Sequence, residues 1–226
     1  MVDVELAGGG GVGRPHEVVA AIVNMMVPTA KSWVRRDRDT VTRSTVVVPR
    51  ERCRWTGAQW LLSTTEGAAM CWQCDNPNGT TDDYLDILRD IIKDHGWAVQ
   101  FVENDKRPYA YTVGLHDMGL PELLITGMPA QASARVLNSL AHQITEDGTF
   151  LQPAMHIDYQ DEFLFEVVEV EHPDVHLKFA VELCSPRIRA FQLVWTDDRG
   201  RWPWDRGWSH GRCRQPVLGV RKLLPE

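Results

Sequence analysis

The sequence predicts an α+β fold, with a mixed, mainly antiparallel sheet and two to three packed helices. Three observations predict it. Two stretches, after Thr80 and after Pro129, place apolar residues at helical spacing. Five short runs after residue 96 have the length and β-branched or aromatic content of strands. Strand also follows strand, with helices inserted between groups, which is not the strict alternation of a parallel doubly wound sheet.

The elements follow in order. Thr80 or Thr81 caps the first helix, and Asp82 and Asp83 suit its positive first turn. Tyr84, Ile87, Leu88, Ile91 and Ile92 form its apolar face, Lys93 and His95 suit its negative end, and Gly96 stops it. Trp97 to Val102 alternates as a strand. A turn at Asn104-Asp105 leads to a second strand, Tyr109 to Val113, so a hairpin is expected. Glu122 to Thr126 is a third strand. Pro129 stands in the first turn of a second helix whose core face is Val136, Leu137, Leu140, Ala141 and Ile144, closed by Gly148. Phe163 to Val170 is the longest strand. A short helix is expected from Pro173 to about Leu183, then a strand from Ile188 to Trp195 and a turn over 196–200. The tail is irregular. No internal repeat is visible.

Before residue 70 organisation is weak. Gly8, Gly10 and Gly13 match a dinucleotide fingerprint in form, ahead of a candidate helix at Glu17–Met26. Arg14-Pro15 and the basic run after residue 32 do not supply the βαβ unit that fingerprint needs. One strand candidate, Thr45–Val48, follows. Charge changes at the same place. Residues 1–69 carry nine Lys and Arg against seven Asp and Glu, a balance of +2, while residues 70–226 carry 15 against 24, a balance of −9. The expected organisation is therefore a poorly organised extension over 1–69 and one α+β domain over 70–226. Glu66-Gly67-Ala68-Ala69 can be encoded by a purine-rich stretch resembling a ribosome-binding site ahead of Met70. This predicts that translation starts at Met70; a peptide from 40–52 in native material would refute it.

The charge of −7 disfavours nucleic acid as a partner. No apolar run reaches 18 residues, so no membrane span is expected. Five cysteines, an odd number, with no recognisable export leader, predict reduced thiols and a cytoplasmic location.

Seven short motifs stand in one order: C-W-Q-C-D at 71–75, G-W at 96–97, Y-A-Y-T-V-G-L at 109–115, P-E-L at 121–123, Q-L-V-W at 192–195, W-P-W-D at 202–205 and Q-P-V-L-G at 215–219. Together they resemble the bacterial domain-of-unknown-function family 4262, in its actinobacterial form. The resemblance covers Met70 to about Gly219. It implies a start at Met70 and supports the boundaries and fold; it implies no activity.

Candidate chemistry is of three kinds. Cys71 and Cys74 form C-x-x-C. With His210 and Cys213 they supply a Cys₃His zinc set, the candidate cofactor site; a redox pair and two inert thiols are the alternatives. The segment from Tyr111 to Leu123 leaves one strand and enters another across a polar loop. There His116 is a candidate acid or base and Glu122 its orienting carboxylate, with Cys71 as a candidate nucleophile. Tyr109, Tyr111, Gln192, Trp195, Trp202 and Trp204 are candidates to line a groove for a small molecule or protein partner, since nine tryptophans are many for this length. The bland alternative is that these rings complete the core. His156-x-Asp158 and His172/His176 have metal-ligand spacing but no third ligand nearby. An aromatic-lined binding domain is the leading expectation, and a thiol- or metal-dependent enzyme the alternative.

Overall fold

A computed structural model describes residues 18–22, 45–48, 72, 76–103, 107–208 and 215–222. Its elements are β1 (Val18–Ile22), β2 (Thr45–Val48), α1 (Thr81–His95), β3 (Ala98–Glu103), β4 (Tyr109–Val113), a 3₁₀ turn (Leu115–Met118), β5 (Glu122–Thr126), α2 (Ala130–Glu146), β6 (His156–Tyr159), β7 (Phe163–Glu169), α3 (Pro173–His176), α4 (Lys178–Leu183) and β8 (Ala190–Trp195). The sheet runs β1-β3-β4-β5-β8-β7-β6-β2. Among the described residues β5–β8 and β2–β6 pair parallel and the other five pairs are antiparallel. The fold is α+β with a mixed, mostly antiparallel sheet.

The start of α1 forms as its sequence dictates. Thr80 Oγ1 accepts from the Asp83 N–H at 3.2 Å, and the Asp83 carboxylate accepts from the Thr80 N–H at 2.8 Å, a reciprocal capping box. These bonds from Thr80 hold the Asp83 carboxyl below its usual range. At the other end the Gly96 N–H reaches the Ile92 carbonyl at 2.7 Å. The expected face holds at Tyr84 and Leu88 and at the half-buried Ile91 and Ile92; Leu85 and Ile87 depart from it. Tyr84, Leu85 and Leu88 are buried, whereas Ile87 is 37% exposed. A rotation of 100° per residue cannot bury both Leu85 and Ile87 on a narrow stripe, and Ile87 turns toward Trp72 and Asn76 at the helix's outer side.

Strand alternation divides the core. One sheet face presents Val99, Phe101, Ala110, Leu123, Ile125, Phe165, Val167, Phe191 and Leu193 to α2, whose Val136, Leu137, Leu140, Ala141 and Ile144 pack against them. The opposite face presents Val102, Tyr111, Val113, Leu124 and Ala190 to α1 and α4. The two long helices thus cover opposite faces. Helix cover on the second face reaches only the β3–β5 side, and this leaves β7 and β6 to be covered by something else.

Three elements depart from expectation. The candidate helix at Glu17–Met26 is instead β1, which pairs antiparallel with β3; its Val18-Val19 and Ile22 are β-branched residues that favour extended backbone at an available edge. His156–Tyr159 is a full strand between β7 and β2. The helix expected over 173–183 breaks at Leu177 (φ −105°, ψ 57°) into α3 and α4. The glycine cluster of 8–13 and the 104–105 turn lie outside the described residues.

Candidate functional site

The Y-T-V-G-L and P-E-L motifs build a lock around one carboxylate. Glu122 is fully buried. One of its oxygens accepts from the Gly114 N–H at 2.9 Å and the His116 N–H at 3.0 Å, and the other from Thr112 Oγ1 at 2.5 Å. Thr112 Oγ1 in turn accepts from the Leu123 N–H at 2.8 Å. Glu122 therefore caps the 3₁₀ turn and ties β4 to β5. Gly114 is required there: its φ is 117°, and a Cβ would stand 3.0 Å from the Gly96 carbonyl oxygen. Burial pushes the Glu122 carboxyl up to about 7 against the lowering effect of its three donors. Beside it, Cys184 is not in a disulfide, and burial together with the Asp117 and Glu122 carboxylates pushes its thiol up to about 12. At neutral pH that thiol stays protonated and is a poor nucleophile.

The second face beyond α1 and α4 is lined by polar side chains. Thr126, Gln192, Glu166 and His156 stand there, all buried. The C-terminal segment 215–222 crosses them as a strap. Gln192 Nε2 donates to Thr126 Oγ1 at 2.9 Å and to the Pro216 carbonyl at 2.8 Å, and Gln192 Oε1 accepts from the Leu218 N–H at 2.7 Å. Thr126 Oγ1 donates to the same Pro216 carbonyl at 2.9 Å. Gln215 clasps the backbone of Trp195, accepting from its N–H at 2.8 Å and donating to its carbonyl at 2.9 Å. A Cβ on Gly219 would lie 1.9 Å from the Glu169 carbonyl oxygen, so only glycine lets the strap lie this close to β7. The Q-L-V-W and Q-P-V-L-G motifs are thus two halves of one clasp.

Past the clasp, five side chains close a ring. Arg221 forks onto the buried Glu166 at 2.6 and 3.0 Å. His156 Nε2 is 3.3 Å from the same carboxylate. The Arg221 guanidinium lies over the Trp204 indole, 4.4 Å from its centroid. Trp204 stacks on Trp202 with 5.4 Å between centroids and 13° between planes, and Trp202 meets His156 at 5.4 Å. Burial raises the Glu166 carboxyl, but the bonds from His156 and Arg221 outweigh it and hold the group below its usual range. Trp204 is 36% exposed and is the outermost member of the ring.

The sequence-selected residues fall in separate places. His116 meets Glu122 through its backbone N–H. Tyr109 and Tyr111 stack on each other with 6.1 Å between centroids, and both belong to the core beneath α4. Trp195 donates through Nε1 to the Thr126 carbonyl at 3.0 Å and packs on Trp208. Of these candidates Trp202 and Trp204 form an aromatic surface together, and Gln192 is the strap's anchor. Cys71, Cys74, His210 and Cys213 lie outside the described residues. Among the described residues no group of three or more His, Cys, Asp or Glu is placed to hold a metal. His156, spaced for a shared site with Asp158 in the sequence, pairs instead with Glu166 on the adjacent strand. Glu166 and Arg221 gave no sequence signal, because 55 residues separate them.

Among the described residues no helix is long and apolar enough to cross a membrane. A family model, Domain of unknown function (DUF4262), matches residues 91–209. Comparison with curated proteins and with solved structures gave no match.

Proposed function

We propose, from the premise that this chain belongs to the DUF4262 family, that it is a binding module whose recognition surface is the indole pair Trp202 and Trp204. The observation that carries this is the ring itself. Trp204 is 36% exposed, yet its partners are immobilised by a buried carboxylate. A rigid, half-open indole loses little entropy when it is covered, which is the character of a binding anchor. The ligand class it suits is a flat or apolar group that lies on the indole. Exposed Arg206, two residues past Trp204, favours an acidic neighbour on that ligand. The odd number of cysteines supports a reducing, cytoplasmic setting for this binding, and the acidic balance of the chain disfavours nucleic acid as the ligand.

An acid–base enzyme centred on Glu122 has less support. Its carboxyl is pushed into the useful range, but both oxygens are taken up by the chain's own donors and none of the side chain reaches solvent.

The test uses anilinonaphthalene sulfonate, a flat apolar ring carrying an anion, as probe. The full chain is expected to bind it saturably. Trp204→Ala, with far-UV circular dichroism unchanged, is expected to weaken binding about tenfold or more. Phe150→Ala, which removes an exposed ring in the α2–β6 connection, is expected to leave it unchanged. Equal binding by Trp204→Ala and the parent chain defeats the reading.

A further inference from the structure

The strap is held in an unusual way. Its bonds to the sheet run almost entirely from side chains to backbone or between charges, and Val217 and Leu218 are only half-buried. The surface beneath it is selective. Gln192 and Thr126 together demand a carbonyl, and Gln192 demands an N–H two residues further on, which is the repeat of an extended peptide. The Trp195 backbone takes a glutamine amide one residue before that carbonyl. The Glu169 carbonyl admits only glycine three residues after it. Glu166 and Glu169 then take a guanidinium and an ammonium in succession. A segment meeting every demand reads Gln-x-x-x-Gly-x-Arg-Lys, as residues 215–222 do. Without an occupant, Gln192 would exchange two of its three hydrogen bonds for bonds to water.

We propose that this surface is a peptide-reading groove that accepts the same segment from a second copy, so that two copies exchange straps and form a dimer. Each demand above is met by residues 215–222 of any copy, and the bonds made across copies are identical to those made within one. Exchange therefore forfeits no strap contact, and the balance turns on chain concentration and on the connection to the strap. Residues 209–214 make that connection; fully extended, the path from Trp208 to Gln215 reaches about 25 Å. The exchange does not depend on the indole surface binding any ligand.

The test is refolding of the full chain, from denaturant, at concentrations from micromolar to near-millimolar, followed by native mass spectrometry. Dilute refolding is expected to give monomer and concentrated refolding a growing dimer fraction. Gly219→Ala refolded at the highest concentration is expected to give no dimer. Two exposed charge reversals serve if that chain does not fold. Glu169→Lys and Lys222→Glu each repel their own strap, whereas mixing them restores attraction at both grooves of an exchanged pair, so heterodimers are expected to exceed either homodimer by about threefold beyond the two-to-one ratio of statistical mixing. A parent chain that stays monomeric at every concentration overturns the proposal. So does a dimer untouched by a folded Gly219→Ala chain, or statistical mixing of the two reversed chains.

Discussion

A buried carboxylate normally marks either chemistry or a lock, and at Glu122 its partners decide the matter. Both its oxygens accept from donors of its own chain, one from Gly114 and His116 and the other from Thr112. Its titration is then a stability term. The folded-state value is raised, from 4.5 to about 7, so the folded form holds a proton that the unfolded form has released between those values. The contribution is fully present below pH 4.5 and is lost as pH rises to about 7. The total change is about 3 kcal/mol. Glu122→Gln removes the titrating group and keeps a carbonyl oxygen for the Gly114 and His116 donors. The prediction is that parent minus variant stability, from urea unfolding at pH 4.5, 5.5 and 7, falls by that order across the window. A constant difference would mean that Glu122 does not titrate there. The sequence marked Glu122 as part of a site, because it stands where a polar loop carrying His116 re-enters a strand. It could not show that the contact with His116 runs through the backbone, since that depends on Gly114 turning the chain at φ 117°.

At the scale of elements, what could be read in the sequence was what is local. The capping box of α1 needs residues three apart, and the hairpin of β3 and β4 needs residues at most 15 apart. What escaped was set by distant partners: β1 took a strand because an edge of β3 was free, and β6 exists because β7 and β2 flank it. The strap is the clearest case. Two prolines and a glycine mark its neighbourhood as irregular, and only Gln192, Glu166 and Glu169 in the folded sheet give it a defined path. Arg221 is its last strong tie. Arg221→Ala leaves Glu166 buried with His156 as its remaining side-chain partner, and breaking a buried pair from one side costs several kcal/mol. Arg221 is about a third exposed, which lowers the expectation to about 2–3 kcal/mol. Because the pair holds the Glu166 value down, its stabilisation is present above the ordinary carboxylate range and is lost as pH falls through the folded value. Urea unfolding at pH 7 and pH 3 checks both parts: the gap between parent and Arg221→Ala is expected at neutral pH and is expected to shrink in acid. An equal gap at both would separate the strap from Glu166.

For the whole molecule, the question is which residues the sheet needs. Six strands, β3-β4-β5-β8-β7-β6, pair without a gap, and each face of that six-stranded sheet has its own cover: α2 on one, α1, α4 and the strap on the other. β1 and β2 add to the two outer edges by backbone pairing. An edge strand extends a ladder, while the interior strands and their packed helices carry most of the buried apolar area that drives folding. We therefore predict that a chain beginning at Met70 folds with a single cooperative urea transition and the near-ultraviolet dichroism of its packed tryptophans. Its newly bared β3 and β6 edges would present unpaired N–H and C=O groups, so it should associate more readily than the full chain as concentration rises. A shorter chain with a broad, non-cooperative transition and no near-ultraviolet signal would show that β1 and β2 belong to the folding unit. The change of charge balance near residue 70 would then not be a structural boundary.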